Sequence, residues 1–272
     1  MTNKTLCLLD WKRWGAYIGT EYRLQLGGYN ECPMQYDKIE QVATVKEPAT
    51  YGLVCWIGSE GVQAKLVMTH DELAEAGRIF RLAAELAYYA VSTNGGRPFV
   101  PSRYAHPQRS EQSLWSVTEV LRYALAKDGL LGWYHKKGVE GMVELVKQNT
   151  FGAWKQEDIT LEAALKVLEE KKLRPTDLRD AAGEQGRTFH KLAMLYLQGK
   201  TIDMTQAPEW QQTFLTKFAM WADKVKLEPI ALETMVYQES DPAYAGTLDC
   251  LGYVQTEWVE QERARLTKKE AG

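Results

Sequence analysis

Two short apolar runs at opposite ends of this 272-residue chain are each broken by an aspartate, and that pair of interruptions limits the possible folds. Thr5-Leu-Cys-Leu-Leu-Asp10-Trp11 near the start and Leu248-Asp249-Cys-Leu-Gly-Tyr-Val254 near the end are too short for buried helices and read as buried strands. A carboxylate in such a strand is costly to bury unless it is paired, hydrogen-bonded or bound to a metal. Strand side chains alternate, so Asp10 and Lys12 share one face and Trp11 points the other way. Two readings of Asp10-Trp11-Lys12 are open at this point. One is a salt bridge at a strand end; the other is a carboxylate–ammonium pair that holds a divalent cation and positions an attacking water. Glu169-Glu170-Lys171-Lys172 has the same spacing on what reads as a solvated helix face.

Between these ends the pattern alternates strand and helix. Thr20–Glu31 reads as a helix although Gly27 and Gly28 together cost about 2 kcal/mol relative to alanine, which close helix packing would explain. Strand-like pieces follow at 41–46, 51–57 and 63–68, then a helical pattern from His70 to about Val91. Residues 92–113 carry Gly, Pro and Ser with little periodicity and read as a linker. Helical patterns return at 116–126, 130–148, 161–172, 176–198 and 209–226, followed by strands at 230–238 and 244–254 with a turn at 239–242. A charged helical tail fills 255–272. Hydrophobic residues at 45% and charged residues at 25% fit a globular chain, and no run approaches the roughly 18–20 apolar residues that cross a bilayer. The start is too quickly charged for a signal peptide, so a cytoplasmic protein with no membrane association is expected. Cys7, Cys32, Cys55 and Cys250 lie far apart with no C-x-x-C pair, which argues against structural zinc or an iron–sulfur cluster. A net charge of −3 neither advertises nucleic-acid binding nor excludes a local basic groove.

Two further residues stand out. Glu233 lies on the strand before Asp249, and His190 lies on a helix, where a histidine is either an ordinary hydrogen-bonded side chain or a ligand. Gly186-Arg-Thr-Phe-His190, Ala231-Leu-Glu233-Thr-Met-Val-Tyr237 and Tyr244-Ala-Gly-Thr-Leu-Asp249 together resemble the RecB-like branch of the PD-(D/E)XK nuclease superfamily. Trp115-Ser-Val-Thr118 and Leu131-Gly-Trp133-Tyr134 resemble the helical lead-in of its phage-encoded exonucleases. In that family a strand ending in D/E-x-K and a Q-x-x-x-Y helix come directly after the aspartate strand. Here they do not. Leu6-Cys-Leu-Leu-Asp10-Trp-Lys12 and Tyr22-Arg-Leu-Gln25-Leu-Gly-Gly-Tyr29 resemble those two motifs, at the opposite end of the chain.

The resemblance therefore implies an α/β fold with a mixed central sheet flanked by helices, a restriction-endonuclease-like core that is circularly permuted. Residues 1–91 would form its second half, 92–113 would join the old termini, 114–254 would hold the lead-in and first half, and 255–272 the tail. The first and last strands would pair, bringing Asp10 beside Asp249. It also implies a Mg²⁺- or Mn²⁺-dependent deoxyribonuclease acting on single- or double-stranded DNA. His190, Asp249, Asp10 and the Trp11 carbonyl would hold the metal, with imidazole tilting preference toward Mn²⁺. Lys12 would orient water or stabilise the transition state, and Glu233 would hold a metal water. Gln25, Tyr29, Arg187 and Lys191 would orient the site or touch DNA. Some relatives carry a glutamate one turn after the histidine, where this chain has Met194. That departure leaves an alternative, a nuclease-like subunit that binds DNA or assembles without cleaving.

Overall fold

The computed structural model describes residues 3–13, 19–37, 41–58, 61–93, 104–125, 128–148 and 160–270. In chain order the strands are β1 (Lys4–Arg13), β2 (Met34–Asp37), β3 (Val42–Val45), β4 (Tyr51–Gly58), β5 (Gly61–Thr69), β6 (Tyr104–His106), β7 (Arg109–Ser116), β8 (Glu228–Gln238) and β9 (Tyr244–Gln255). The helices are α1 (Thr20–Glu31), α2 (His70–Thr93), α3 (Val117–Ala124), α4 (Asp128–Lys147), α5 (Leu161–Glu170), α6 (Pro175–Leu197), α7 (Glu209–Val225) and α8 (Thr256–Glu270). The chain divides into two compact units: Met1–Leu125 with Phe189–Gly272, and Ala126–Thr188. No helix among the described residues is long and apolar enough to cross a membrane.

The larger unit is built on a mixed sheet of order β3-β2-β8-β9-β1-β4-β5, flanked by helices. The first and last strands are neighbours: β1 runs antiparallel to β9 from Lys4↔Gln255 to Leu9↔Cys250, and parallel to β4 from Cys7↔Tyr51 to Arg13↔Ile57. The Thr256 N–H donates to the Asn3 carbonyl at 3.1 Å, and Lys4 pairs with Glu228, so the start of β1 is fastened to the strand ends beside it. On the same side of β9 as β1, β7 pairs at Trp115↔Tyr244 and Ser116↔Ala245. Between these two ladders, Gly246–Asp249 has no ladder partner on that side among the described residues. The sheet forks there, and the candidate site occupies the fork.

Alternation sorts the strand side chains into two layers. Leu6, Leu8, Val54, Leu66 and Met68 face α1, α2 and α3, while Cys7, Leu9, Trp11, Cys55, Cys250 and Val254 face Phe189 of α6 and the Phe218–Val225 stretch of α7. The glycine pair of α1 has the packing role expected of it: a Cβ at Gly27 would run into the backbone of Ala76 and Gly77, and one at Gly28 would lie 3.0 Å from the Phe80 ring. Lys46 is buried at the end of α1, its ammonium donating to the Asn30 carbonyl at 3.3 Å and the Glu47 carbonyl at 3.4 Å. It satisfies a carbonyl that the helix end leaves open.

The sequence reading needs amendment in two places, and the tail it reads as helical gains a docking role. Residues 92–113 are not uniformly a connector: within them 92–93 end α2, 104–106 form β6 and 109–113 begin β7, while 94–103 lie outside the described residues. Side-chain burial replaces periodicity there, with Tyr104 and Leu114 packed beside Met235, Tyr237 and Ala245. Met34–Asp37 forms β2, too short to be marked by its own pattern and held between β3 and β8. The charged tail is a docked helix: Val259 is buried, and the Arg265 guanidinium donates to the Ala64 carbonyl at 2.6 Å. In the smaller unit α4 and α5 share a cluster of Leu145, Val167, Leu168 and Leu173.

Candidate metal centre

β1 carries Asp10 and Lys12 to the fork. The alternation expected of a strand places them together, and the Lys12 ammonium donates to Asp10 Oδ1 at 2.8 Å. Asp10 is only 3% exposed, and its Oδ2 is buried with no hydrogen-bond partner. Burial therefore raises the Asp10 carboxyl to about 6; Lys12 opposes the shift and Asp249 adds to it. Burial works against the Lys12 ammonium, but the charges of Asp10 and Asp249 outweigh it and hold the ammonium charged. The ammonium also lies 5.4 Å from the centre of the Tyr22 ring.

Asp249 reaches into the opening of the sheet from β9. Its Oδ2 accepts the backbone N–H of Trp11 at 2.7 Å, a side-chain bond where the β1–β9 ladder has stopped. The indole of Trp11 points into the layer below, packed edge-on against Phe189 and Phe218. Phe189 thereby fixes the start of the α6 segment that presents His190. The His190 Nδ1–H donates to Glu233 Oε1 at 3.1 Å and lies 3.4 Å from Asp249 Oδ1. Glu233 of β8 falls between the pairs Leu232↔Cys250 and Thr234↔Leu248, opposite Asp249 of β9, with a left-handed φ of 47°. That conformation is unfavourable for a non-glycine residue and tends to occur where function constrains the backbone.

The charges of this trio are mutually dependent. Burial opposes the His190 imidazolium, yet its hydrogen bonds and charge contacts with Asp249 and Glu233 raise its pKa to about 10. Burial pushes the Asp249 carboxyl up, but His190, Lys12 and the Trp11 N–H together hold it below the ordinary aspartate value. One ligand atom each from His190, Glu233 and Asp249 lies within 4.8 Å of the others, which is the spacing of a cation site. The donor set is one nitrogen and several carboxylate oxygens, groups that could hold a metal ion. The unpartnered Asp10 Oδ2 adds a buried acceptor that a cation would satisfy.

Of the residues singled out from sequence, Asp10, Lys12, Trp11, Asp249, His190 and Glu233 come together here. Trp11 enters through its backbone N–H. Glu233 stands directly against His190 rather than behind it. Gln25 donates to the Tyr29 hydroxyl at 2.9 Å; Tyr29 is buried beneath Gly246, where any Cβ would collide with its ring. Lys191 is exposed, as is Arg187, which pairs with Glu184 at 2.6 Å in the smaller unit. Tyr22 and Trp56, the aromatic residues nearest Lys12 in contact and register, carried no sequence signal, since both sit in patterns that fit a core. In comparisons with known proteins, no protein-family model, no curated protein and no solved structure matches the chain.

Proposed function

We propose that the protein is a divalent-metal-dependent deoxyribonuclease of the RecB-like PD-(D/E)XK type, with its motifs circularly permuted. The observation that carries this reading is the fork itself. Asp10-x-Lys12 on β1 and Asp249 on β9 meet there, with His190 from α6, although the two strands lie at opposite ends of the sequence. The β9-to-β1 junction supports a permutation: Gln255 sits opposite Lys4, so a short turn between them would restore the order aspartate strand, D-x-K strand, Q-x-x-x-Y helix.

His190 Nδ1, Glu233, Asp249 and Asp10 Oδ2 are the groups that would hold the cation. When bound there, a divalent cation would lower the pKa of a coordinated water and polarise a phosphodiester oxygen. Lys12, kept charged by its two carboxylate neighbours, is placed to stabilise negative charge growing on the phosphate. The Trp11 N–H holds Asp249 in one orientation, and His190 Nδ1 would exchange the proton it now shares with Glu233 for the cation. Glu233 also contributes the carboxylate that Met194, one turn beyond His190, does not.

The test is incubation with labelled single- and double-stranded DNA in Mn²⁺, in Mg²⁺ and in EDTA. Cleavage that needs metal and is lost in Asp10→Asn supports the enzyme. DNA binding with no cleavage by wild type in either metal would replace it with the non-cleaving subunit.

A further inference from the structure

Beyond the metal centre, the same sheet face continues from Lys12 to a second pairing of a cation with an aromatic ring. β1 and β4 run parallel with Asp10↔Val54 and Lys12↔Trp56 in register, so Trp56 stands beside Lys12 on the Asp10 face. Its chain neighbours Cys55 and Ile57 point into the opposite layer. Paired strands lie about 4.8 Å apart, which makes Trp56 and Lys12 neighbouring positions on one sheet face. Trp56 is only partly buried.

The next strand adds the cation. β5 pairs with β4 through Val54↔Leu66 and then Cys55↔Ala64, leaving Lys65 as the extra residue of a β-bulge. Bulges redirect a side chain, and this one sets the Lys65 ammonium 4.6 Å from the centre of the Trp56 ring. Gln63, opposite Trp56, accepts a hydrogen bond from the same ammonium at 3.0 Å. The Lys12 ammonium is itself 5.4 Å from the centre of the Tyr22 ring, so two ammonium–aromatic pairs adjoin where Lys12 and Trp56 are in register.

We propose that Trp56 and Lys65 form a nucleotide subsite beside the metal centre: the indole stacks an unpaired base of single-stranded DNA, and Lys65 binds a phosphate flanking it. The ligand chemistry follows from the parts. Stacking on an indole needs a flat aromatic partner released from pairing, and a cation–π contact on a partly buried ring is weak enough for a base to displace. The Lys65 ammonium would then exchange its ring contact for a backbone phosphate. The proposal rests on the nuclease reading only for its place next to the scissile phosphate.

The experiment separates the two. Binding of a fluorescein-labelled oligothymidylate to the full chain is followed by anisotropy in EDTA, where no cleavage occurs, across a salt series. Trp56→Ala should weaken binding about 5- to 150-fold, and Trp56→Phe should recover most of it. Lys65→Gln should weaken binding and reduce the slope of log K against log salt by about 0.7. Melting temperatures near wild type would show that each variant is folded; if Trp56→Ala is not, Trp56→Phe and Lys65→Gln still decide. Oligothymidylate binding that is absent in wild type, or unchanged in Trp56→Ala, or with a salt slope unmoved by Lys65→Gln, overturns the subsite. Binding that depends on both residues, in a protein that cleaves nothing with Mn²⁺, would uphold the subsite and refute the nuclease.

Discussion

Asp249 Oδ2 accepts the backbone N–H of Trp11 at 2.7 Å, so one carboxylate both closes the gap in the sheet and belongs to the candidate metal centre. Structure and chemistry can therefore be separated at this residue. Asp249→Asn retains an oxygen acceptor for the Trp11 N–H, whereas Asp249→Ala leaves that buried donor unpaired at a cost of about 1–3 kcal/mol. Urea unfolding in EDTA should rank wild type and Asn above Ala, while both variants lose metal-dependent cleavage. Equal stability of Asn and Ala would mean that the bond contributes nothing.

Asp10 should show the opposite balance. Its Oδ2 is buried without a partner, and its carboxyl is raised to about 6, so the ionised group is held at a cost. Asp10→Asn is expected to unfold at the same or higher urea concentration than wild type in EDTA, yet to lose cleavage by about 100-fold or more, beyond the usual loss for a residue that merely supports a ligand. Retained cleavage with an unchanged melting temperature would remove Asp10 from the site.

His190 contributes the one nitrogen in the cluster. Nitrogen ligands matter more to Mn²⁺ than to Mg²⁺. His190→Ala should lower Mn²⁺-supported cleavage by a larger factor than Mg²⁺-supported cleavage, measured as initial rates at saturating metal. The same loss with both ions would place His190 outside the coordination sphere.

The α1–α2 contact gives a stability test remote from the chemistry. Gly27→Ala forces a Cβ against the backbone of Ala76 and Gly77, which cannot yield as a side chain would, and should cost about 1–3 kcal/mol. Gly186→Ala in α6 meets nothing within 4 Å and should stabilise by about 0.4–1 kcal/mol. Thermal unfolding of the two variants should move in opposite directions.

Lys46 gives a pH dependence with a definite sign. Burial lowers its ammonium below the ordinary lysine value of 10.5, with the nearby Cys32 thiol partly opposing the shift. The folded state then sheds this proton at lower pH than the unfolded chain, so the lysine penalises folding less as pH climbs toward 10.5. Relative to Lys46→Met, wild type should gain stability between neutral pH and pH 10.5. A constant difference between the two would contradict the shift.

Much of the sheet was legible because its strands carry their own punctuation: Asp10 and Asp249 mark where an apolar run stops being core. Gly27 and Gly28 announced a close helix contact for a similar reason, since nothing else explains two poor helix formers together. β2 and β6 were not legible, as three or four residues held between neighbours need no pattern of their own. The site was legible only in part. Residue types pointed to Asp10, Lys12, Asp249 and His190, but the contact of Glu233 with His190 depends on a left-handed backbone turn that the residue type does not reveal. Trp56 was hidden as well, because its place beside Lys12 comes from a parallel pairing of strands about forty residues apart.

The adjacency of β1 and β9 also sets a timetable for synthesis. A ribosome delivers Asp10 239 residues before Asp249, and the edge of β1 that will pair with β9 must wait meanwhile. Contacts of such long sequence separation form late and slowly. A nascent chain can thus hold folded helices while the candidate site is still in two pieces, its carboxylates meeting only once the strand that completes the sheet has emerged.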